Sequence, residues 1–293
     1  MVRLGICTLD YIYVFAGLLC LFLGGEALVR GSVGIAKRLA MSPLLIGLTV
    51  VGFGTSTPEL LVSVNAAWRG VPDIAIGNIV GSNIANIALI MGITALVWPI
   101  RVSGSTLRRD TGVMIFAALA LVPVFMMGEI GRLAGAMLLS GLIGYLFWAY
   151  RMPGDAAKDA ADESEKPKAI VSVLWVVAGF VALIFGARFL VDGAVSIARD
   201  AGMSEAFIGL TIVAIGTSLP ELATSVVAAF RRQSEIAIGN VIGSNIFNVF
   251  GILGVTAVIK PIPVADRFIT FDLPMMIAVS LVMTALLLLR PTI

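Results

Sequence analysis

Two glutamates carry most of the chemistry this chain could do. Glu59 closes the stretch Gly54-Thr55-Ser56-Thr57-Pro58-Glu59, and Glu221 closes Gly216-Thr217-Ser218-Leu219-Pro220-Glu221, 162 positions later. Each sits in a long apolar run of membrane-span character, where an ionisable side chain is expensive and marks function by default. In a helix Thr55 and Glu59 are four apart and Ser56 and Glu59 three apart, which puts hydroxyls and carboxylate on one face. Pro58 and Pro220 lack an N–H, so the carbonyls of Gly54 and Gly216 lose their helical donors. Breaks of this kind at membrane depth are tolerated where the backbone lines a cavity. Carboxylate, hydroxyl and freed carbonyl are hard oxygen ligands, which suit Na+ or Ca2+ and not zinc or copper. Taken singly, each proline is an ordinary helix kink and each glutamate half of a buried ion pair. The duplication, and the absence of a basic residue near either motif within its run, weigh against both.

A second pattern follows each motif: Gly77-Asn78-Ile79-Val80-Gly81-Ser82-Asn83-Ile84-Ala85-Asn86 and Gly239-Asn240-Val241-Ile242-Gly243-Ser244-Asn245-Ile246-Phe247-Asn248. Ser82 and Asn86 are four apart, as are Ser244 and Asn248. Close helix packing accounts for the glycines. It does not account for Asn86 and Asn248, because an amide in hydrocarbon needs a polar partner. These four residues are expected to line the same site. Other charges near the spans have quieter readings. Glu26 and Arg188 occupy equivalent repeat positions and are expected to snorkel to opposite interfaces without pairing. Asp73 and Glu235 open the helices that carry the second pattern, where a negative charge complements the helix dipole.

The elements that must position these residues are membrane helices. Of 293 residues, 59% are hydrophobic and 13% charged, with mean hydropathy +1.04, the composition of an all-α polytopic membrane protein. A net charge of +2 says nothing of partners in such a chain, and nothing points to nucleic acid. There is no histidine to shuttle protons or ligate metal, and Cys7 and Cys20 have no metal or disulfide spacing. With no phosphate loop or reactive cysteine motif either, an enzyme is disfavoured and no cofactor is expected. The first apolar run has no cleavage site followed by a soluble domain, and reads as a span.

Spans are expected near 11–30, 43–68, 74–98, 111–128 and 131–150, then near 170–192, 205–230, 236–260 and 271–290. A polar stretch at 151–169 separates a first half, 1–150, from a second, 170–293, and reads as a solvated linker. The halves are a repeat. Residues 17–100 align with 179–262 without a gap, and 14 of the 22 positions in 47–68 are identical to those in 209–230. Five spans per half means that the second copy enters the membrane from the opposite side, the inverted construction of many secondary transporters. The fifth span's partner would fall at 293–312, while the sequence stops at Ile293: nine spans, either a truncated ten-span chain or a nine-span variant. Lysines and arginines in the loops put thirteen on the side of the linker, six on the other, and Arg188 within a span. That bias predicts a cytoplasmic linker and an external N-terminus, in a plasma or inner membrane.

At these residues the sequence resembles the cation/Ca2+ exchanger superfamily, and within it the prokaryotic Na+/Ca2+ exchangers. The Gly-Thr-Ser-x-Pro-Glu and Gly-Ser-Asn-x-x-Asn copies resemble its two α-repeats, over about residues 11–290. The resemblance implies two inverted five-span repeats, with the second, third, seventh and eighth spans around a central cation site and the first and sixth as a gating pair. It implies the side chains of Thr55, Ser56, Glu59, Ser82, Asn86, Thr217, Ser218, Glu221, Ser244 and Asn248 as ligands, with backbone carbonyls of Gly52 and Ala214. Relatives with Asp at position 248 are associated with K+ co-transport, so Asn248 favours a K+-independent exchanger.

The expectation is a secondary antiporter that exchanges Na+ for Ca2+ by alternating access, working in the bilayer as a monomer with no required protein partner. Two ionised glutamates give the site −2; one Ca2+ neutralises it and the three Na+ implied by the resemblance leave +1, so exchange is electrogenic. A Ca2+/H+ antiporter using the same two glutamates is the first alternative, and a passive cation channel the second.

Overall fold

The structure is a computed structural model that describes residues 2–39, 41–99, 105–152, 168–204, 208, 212 and 214–289. The expected linker lies almost wholly outside the described residues, as do the opening of the expected 205–230 span and the Cys7 side chain. The described residues are almost all helical: α1 (Val2–Leu39), α2 (Pro43–Thr55), α3 (Thr57–Trp68), α4 (Pro72–Val97), α5 (Ser105–Met126), α6 (Arg132–Arg151), α7 (Ala169–Asp200), α8 (Ala214–Thr217), α9 (Leu219–Phe230), α10 (Ser234–Ile259) and α11 (Phe268–Leu289). Among the described residues, seven helices are long and apolar enough to cross a membrane. The pair α2 and α3, bent by 45° at their junction, makes an eighth if taken as one span. The expected span at 205–230 is represented by α8 and the short apolar α9.

Inversion of the halves is visible in α1 and α7, which are repeat counterparts and run antiparallel. Glycines recur every seven residues in both, at Gly17, Gly24 and Gly31 and at Gly179, Gly186 and Gly193. A Cβ at Gly24 would come within 2.8 Å of the Leu183 backbone nitrogen and 3.0 Å of the Gly179 carbonyl oxygen; one at Gly186 would come within 2.8 Å of the Leu21 nitrogen and 3.0 Å of the Gly17 carbonyl. These positions therefore admit only glycine, and the two backbones touch along a seam about two turns per step.

The helices that carry the two motifs form the centre. α10 is its most buried span, packed by α2 on one side and α6 on another. Its counterpart α4 is less enclosed, because among the described residues no helix covers it as α6 covers α10. Among the described residues four spans contain π-helical turns, Gly47–Val51 in α2, Asn86–Ile90 in α4, Phe247–Ile252 in α10 and Phe268–Asp272 in α11, and those in α4 and α10 begin at or beside Asn86 and Asn248. A π turn leaves backbone groups shifted from the regular ladder and is common at functional positions.

The basic loops sort into two ends. Strand β1 (Glu129–Ile130) pairs antiparallel with β2 (Ile262–Pro263), near Arg132 on the Val258 carbonyl and Lys260 on the Trp68 carbonyl. At the other end lie the Arg231–Glu26 pair, Arg109 on the Met152 carbonyl, and Arg232 over the Trp98 ring. This is the grouping that the loop charges required.

Candidate cation site

Each glutamate is delivered by a broken helix. The break falls at the serine before the proline: Ser56 has φ −83° and ψ 9°, and Ser218 has φ −91° and ψ 7°. Pro58 and Pro220 then occupy the second position of α3 and α9, where a missing N–H leaves no helical bond unmade. The sequence placed the break at the prolines; the structure has two helices meeting at the serine two residues before each proline. Glu59 and Glu221 therefore stand in a first turn, where the helix dipole favours a carboxylate.

The two halves complete each other. Ser56 Oγ donates to Glu221 Oε1 at 3.0 Å, and Ser218 Oγ donates to Glu59 Oε1 at 3.3 Å. Thr55 and Thr217 reach across in the same sense, Thr55 toward Glu221 and Thr217 toward Glu59. Both carboxylates are 1% exposed and neither has a Lys or Arg partner among the described residues. Gly52 is where α2 meets α10: its carbonyl accepts from Ser244 Oγ and Thr55 Oγ1, each at 3.4 Å. Ser82, the counterpart of Ser244, is buried on α4, and Ala214 opens α8 at the edge of the described residues.

Asn86 and Asn248 are each 1% exposed. The π turn that Asn86 opens packs against α9, which carries Glu221, while the turn holding Asn248 packs against α3, which carries Glu59. Their amide nitrogens are taken: Asn86 Nδ2 donates to Asn245 Oδ1 at 3.1 Å, and Asn248 Nδ2 to Asn83 Oδ1 at 2.9 Å. Among the candidate ligands in the described residues, four buried oxygens have no hydrogen-bond donor: Glu59 Oε2, Glu221 Oε2, Asn86 Oδ1 and Asn248 Oδ1. They form two repeat-related pairs, one carboxylate and one amide oxygen from each half. A buried acceptor left without a partner costs about 1–3 kcal/mol, and more when charged, so these four oxygens call for a partner that the described side chains do not supply. Ca2+ takes about six to eight oxygens, and the hydroxyls already at the carboxylates can supply the remainder.

Several residues of the site escaped the sequence reading. Asn78 Nδ2 donates to the Glu59 carbonyl at 3.1 Å and to Ser63 Oγ at 2.9 Å; Asn240 Nδ2 does the same to the Glu221 carbonyl at 3.2 Å and to Ser225 Oγ at 2.9 Å. These amides clamp the first turns that bear the glutamates. The signal was present, since Asn78, Ser63 and Asn83 all recur at the repeat offset. Glu26, expected to snorkel, is buried and held between Arg30 and Arg231, because Arg231 from the loop after α9 reaches it. Asp73 and Glu235 sit in the first turns of α4 and α10.

The surroundings of the site are not symmetric. A cavity of about 290 Å³ reaches Thr57, Pro58 and Thr217, with Leu61 on one wall and Ala187, Arg188 and Asp192 of α7 on the other. The repeat counterparts of Leu61 and Ala187 are Ala223 and Gly25, and these are in contact: a Cβ at Gly25 would lie 3.2 Å from the Ala223 carbonyl oxygen. Equivalent helices are thus closed on one side of the glutamates and parted on the other.

The profile of the family described as sodium/calcium exchanger protein matches residues 9–151 and 171–292, the two halves as the repeat divides them. The chain belongs to the sodium/calcium exchanger family. This exchanger is 41% identical to the putative antiporter CaxA of Alkalimonas amylolytica, over 85% of its own length and 81% of that protein's. It is 33% identical to the sodium/calcium exchanger MaX1 of Methanosarcina acetivorans, covering 94% and 90% of the two chains. The Ca(2+)/H(+) antiporter ChaA of Bacillus subtilis is more distant, at 24% identity over 91% and 83%. A solved structure of the sodium-calcium exchanger NCX_Mj, soaked with 2.5 mM Na+ and 0.1 mM Ca2+, superposes with TM-score 0.83 at 33% identity, over 95% of this exchanger and 90% of that chain.

Proposed function

We propose that this chain is a secondary active antiporter that exchanges Na+ for Ca2+, electrogenically and without K+, by alternating access. The observation that carries the reading is the set of four donorless oxygens on Glu59, Glu221, Asn86 and Asn248, two from each half. Around them Thr55, Ser56, Ser82, Thr217, Ser218 and Ser244, with the carbonyls of Gly52 and Ala214, complete the ligand set. The site carries −2 when both glutamates are ionised. One Ca2+ cancels it and three Na+ exceed it by one charge, so the two cargoes exclude each other and the cycle moves net charge. Each such charge is worth about 2.3 kcal/mol per 100 mV of membrane potential.

The cavity beside Thr217 is the path to one side, and the Gly25–Ala223 contact closes the other. Loop charges make the open side external and the linker cytoplasmic, in the plasma or inner membrane. The two repeat halves, 1–150 with five spans and 170–293 with four, are the units that exchange their roles as access alternates, and one copy holds a whole site, which favours a monomer.

Na+ as counter-ion is supported by the neutral hydroxyl and amide oxygens, which bind a second small cation with no proton chemistry, and by two relatives at 33% identity that are named for sodium and calcium. A proton-coupled cycle at the same two glutamates is the second reading, favoured by the likeness to ChaA. Radioactive Ca2+ uptake into proteoliposomes under a Na+ gradient, and separately under a pH gradient, decides between them. Uptake with the pH gradient alone would overturn the Na+ reading, and uptake with neither would indicate a pore.

A further inference from the structure

We propose that Asn83 and Asn245 are positioning residues which, with the Met276 and Met114 thioethers behind them, force the amides of Asn248 and Asn86 to present oxygen to the cation. The proposal rests on the reading of the site just given. An asparagine is nearly symmetric in shape, with a carbonyl oxygen on one arm and an NH2 on the other. Beside a cation the oxygen arm attracts and the NH2 arm repels, so the direction of the flip decides whether the residue is a ligand.

Two relays set that direction. In one, Asn83 Nδ2 donates to the Asn245 carbonyl at 3.4 Å and to Met276 Sδ at 3.5 Å, while its Oδ1 accepts from Asn248 Nδ2 at 2.9 Å. In the other, Asn245 Nδ2 donates to Met114 Sδ at 3.6 Å and its Oδ1 accepts from Asn86 Nδ2 at 3.1 Å. A thioether can accept and never donate. Facing a methionine, the outer asparagine must turn its NH2 outward and its oxygen inward. The inner asparagine must then turn its NH2 toward that oxygen, and its own Oδ1 is left for the site, as the donorless Oδ1 atoms of Asn86 and Asn248 show. Sulfur is a weak acceptor, but here it needs only to break a tie.

The relays share the symmetry of the site. Met114 and Met276 are 162 positions apart, as are Asn83 and Asn245, and each relay passes between halves. All are buried, the two methionines at 3% and 1% exposure and the two outer asparagines at 3% and 2%, so the amides are oriented by protein partners packed around them.

The test compares Asn83→Leu, which keeps the branched outline but removes the acceptor, in the native chain and in an Asn248→Asp background. A carboxylate has oxygen on both arms and no wrong flip. Ca2+ binding to the purified full-length protein is read as the half-saturating concentration, since one lost charge-assisted contact is worth roughly tenfold or more. We expect Asn83→Leu to raise it about tenfold in the native chain and less than about twofold in the Asn248→Asp background. Met276→Leu, a volume-conserving change expected to fold, should give a smaller rise in the native chain and none with Asn248→Asp; it carries the test if Asn83→Leu does not fold. Equal rises in both backgrounds would reduce Asn83 to a packing role, and no rise in the native chain would overturn the relay. Absence of Ca2+ binding by the unmutated protein would instead overturn the function proposed above.

Discussion

Ser56 donates to the carboxylate of Glu221, a residue 165 positions away in the other half of the chain. With the reciprocal bond from Ser218 to Glu59, each half supplies the hydroxyl that completes the other half's charge. Neither half contains a finished site, so the two glutamates should behave alike when altered. Glu59→Gln and Glu221→Gln are each expected to abolish Ca2+ transport, measured as Na+-driven uptake into proteoliposomes. Near-normal uptake by either variant would remove it from the site.

The hydroxyls contribute less than the charges. Ser56→Ala removes one hydrogen bond to a carboxylate, worth about 1.5–3 kcal/mol at most. A rise in half-saturating Ca2+ of roughly tenfold, with transport retained, is expected. Ser218→Ala should match it, because the geometry repeats.

The Glu26 carboxylate ties α1 to Arg231 on the side where the helices are closed. Both arginines are about half exposed, at 56% and 51%, so solvent screens the pair and its worth is on the order of 1 kcal/mol. In the proposed alternating-access cycle, Glu26→Gln should shift the balance between the two access states about fivefold toward opening on that side. Labelling of a cysteine introduced at Ala223, compared with and without the change, reads the shift. Unchanged labelling would mean that the pair is structural only.

Glycines separate two kinds of position. Gly92 has nothing within 4 Å of an added Cβ, and Gly92→Ala should leave thermal stability unchanged or slightly raised. At Gly24 the same methyl would press on the Leu183 backbone at 2.8 Å. Gly24→Ala should destabilise by about 1–3 kcal/mol, seen as a lower melting temperature of the detergent-solubilised protein.

Much of this was legible in the sequence. A constant offset exposed the repeat, and a carboxylate after a proline in an apolar run exposed the site, because both signals are local. What could not be read were partnerships. Asn86 and Asn248 were recognised as amides in need of partners, but those partners, Asn245 and Asn83, lie 159 and 165 positions away. Asn83 itself stood in the motif and drew no notice, since its neighbours Ser82 and Asn86 already accounted for the pattern. Glu26 was misread for the same reason: Arg231, 205 positions distant, is close only in three dimensions.

The glycine seam between α1 and α7 has a mechanical consequence. At the glycine positions the two helices meet backbone to backbone, and side chains such as Leu183, Leu190 and Val176 close over the seam between them, so parting the helices would forfeit close contacts along their shared length. The pair is therefore stiff as a unit. It touches the centre closely near Gly25 and stands off by a cavity near Ala187, so it is a single strut that leans. In the alternating-access cycle proposed above, one end swinging in would carry the other end out, and such a strut would keep the protein from opening to both sides of the membrane at once.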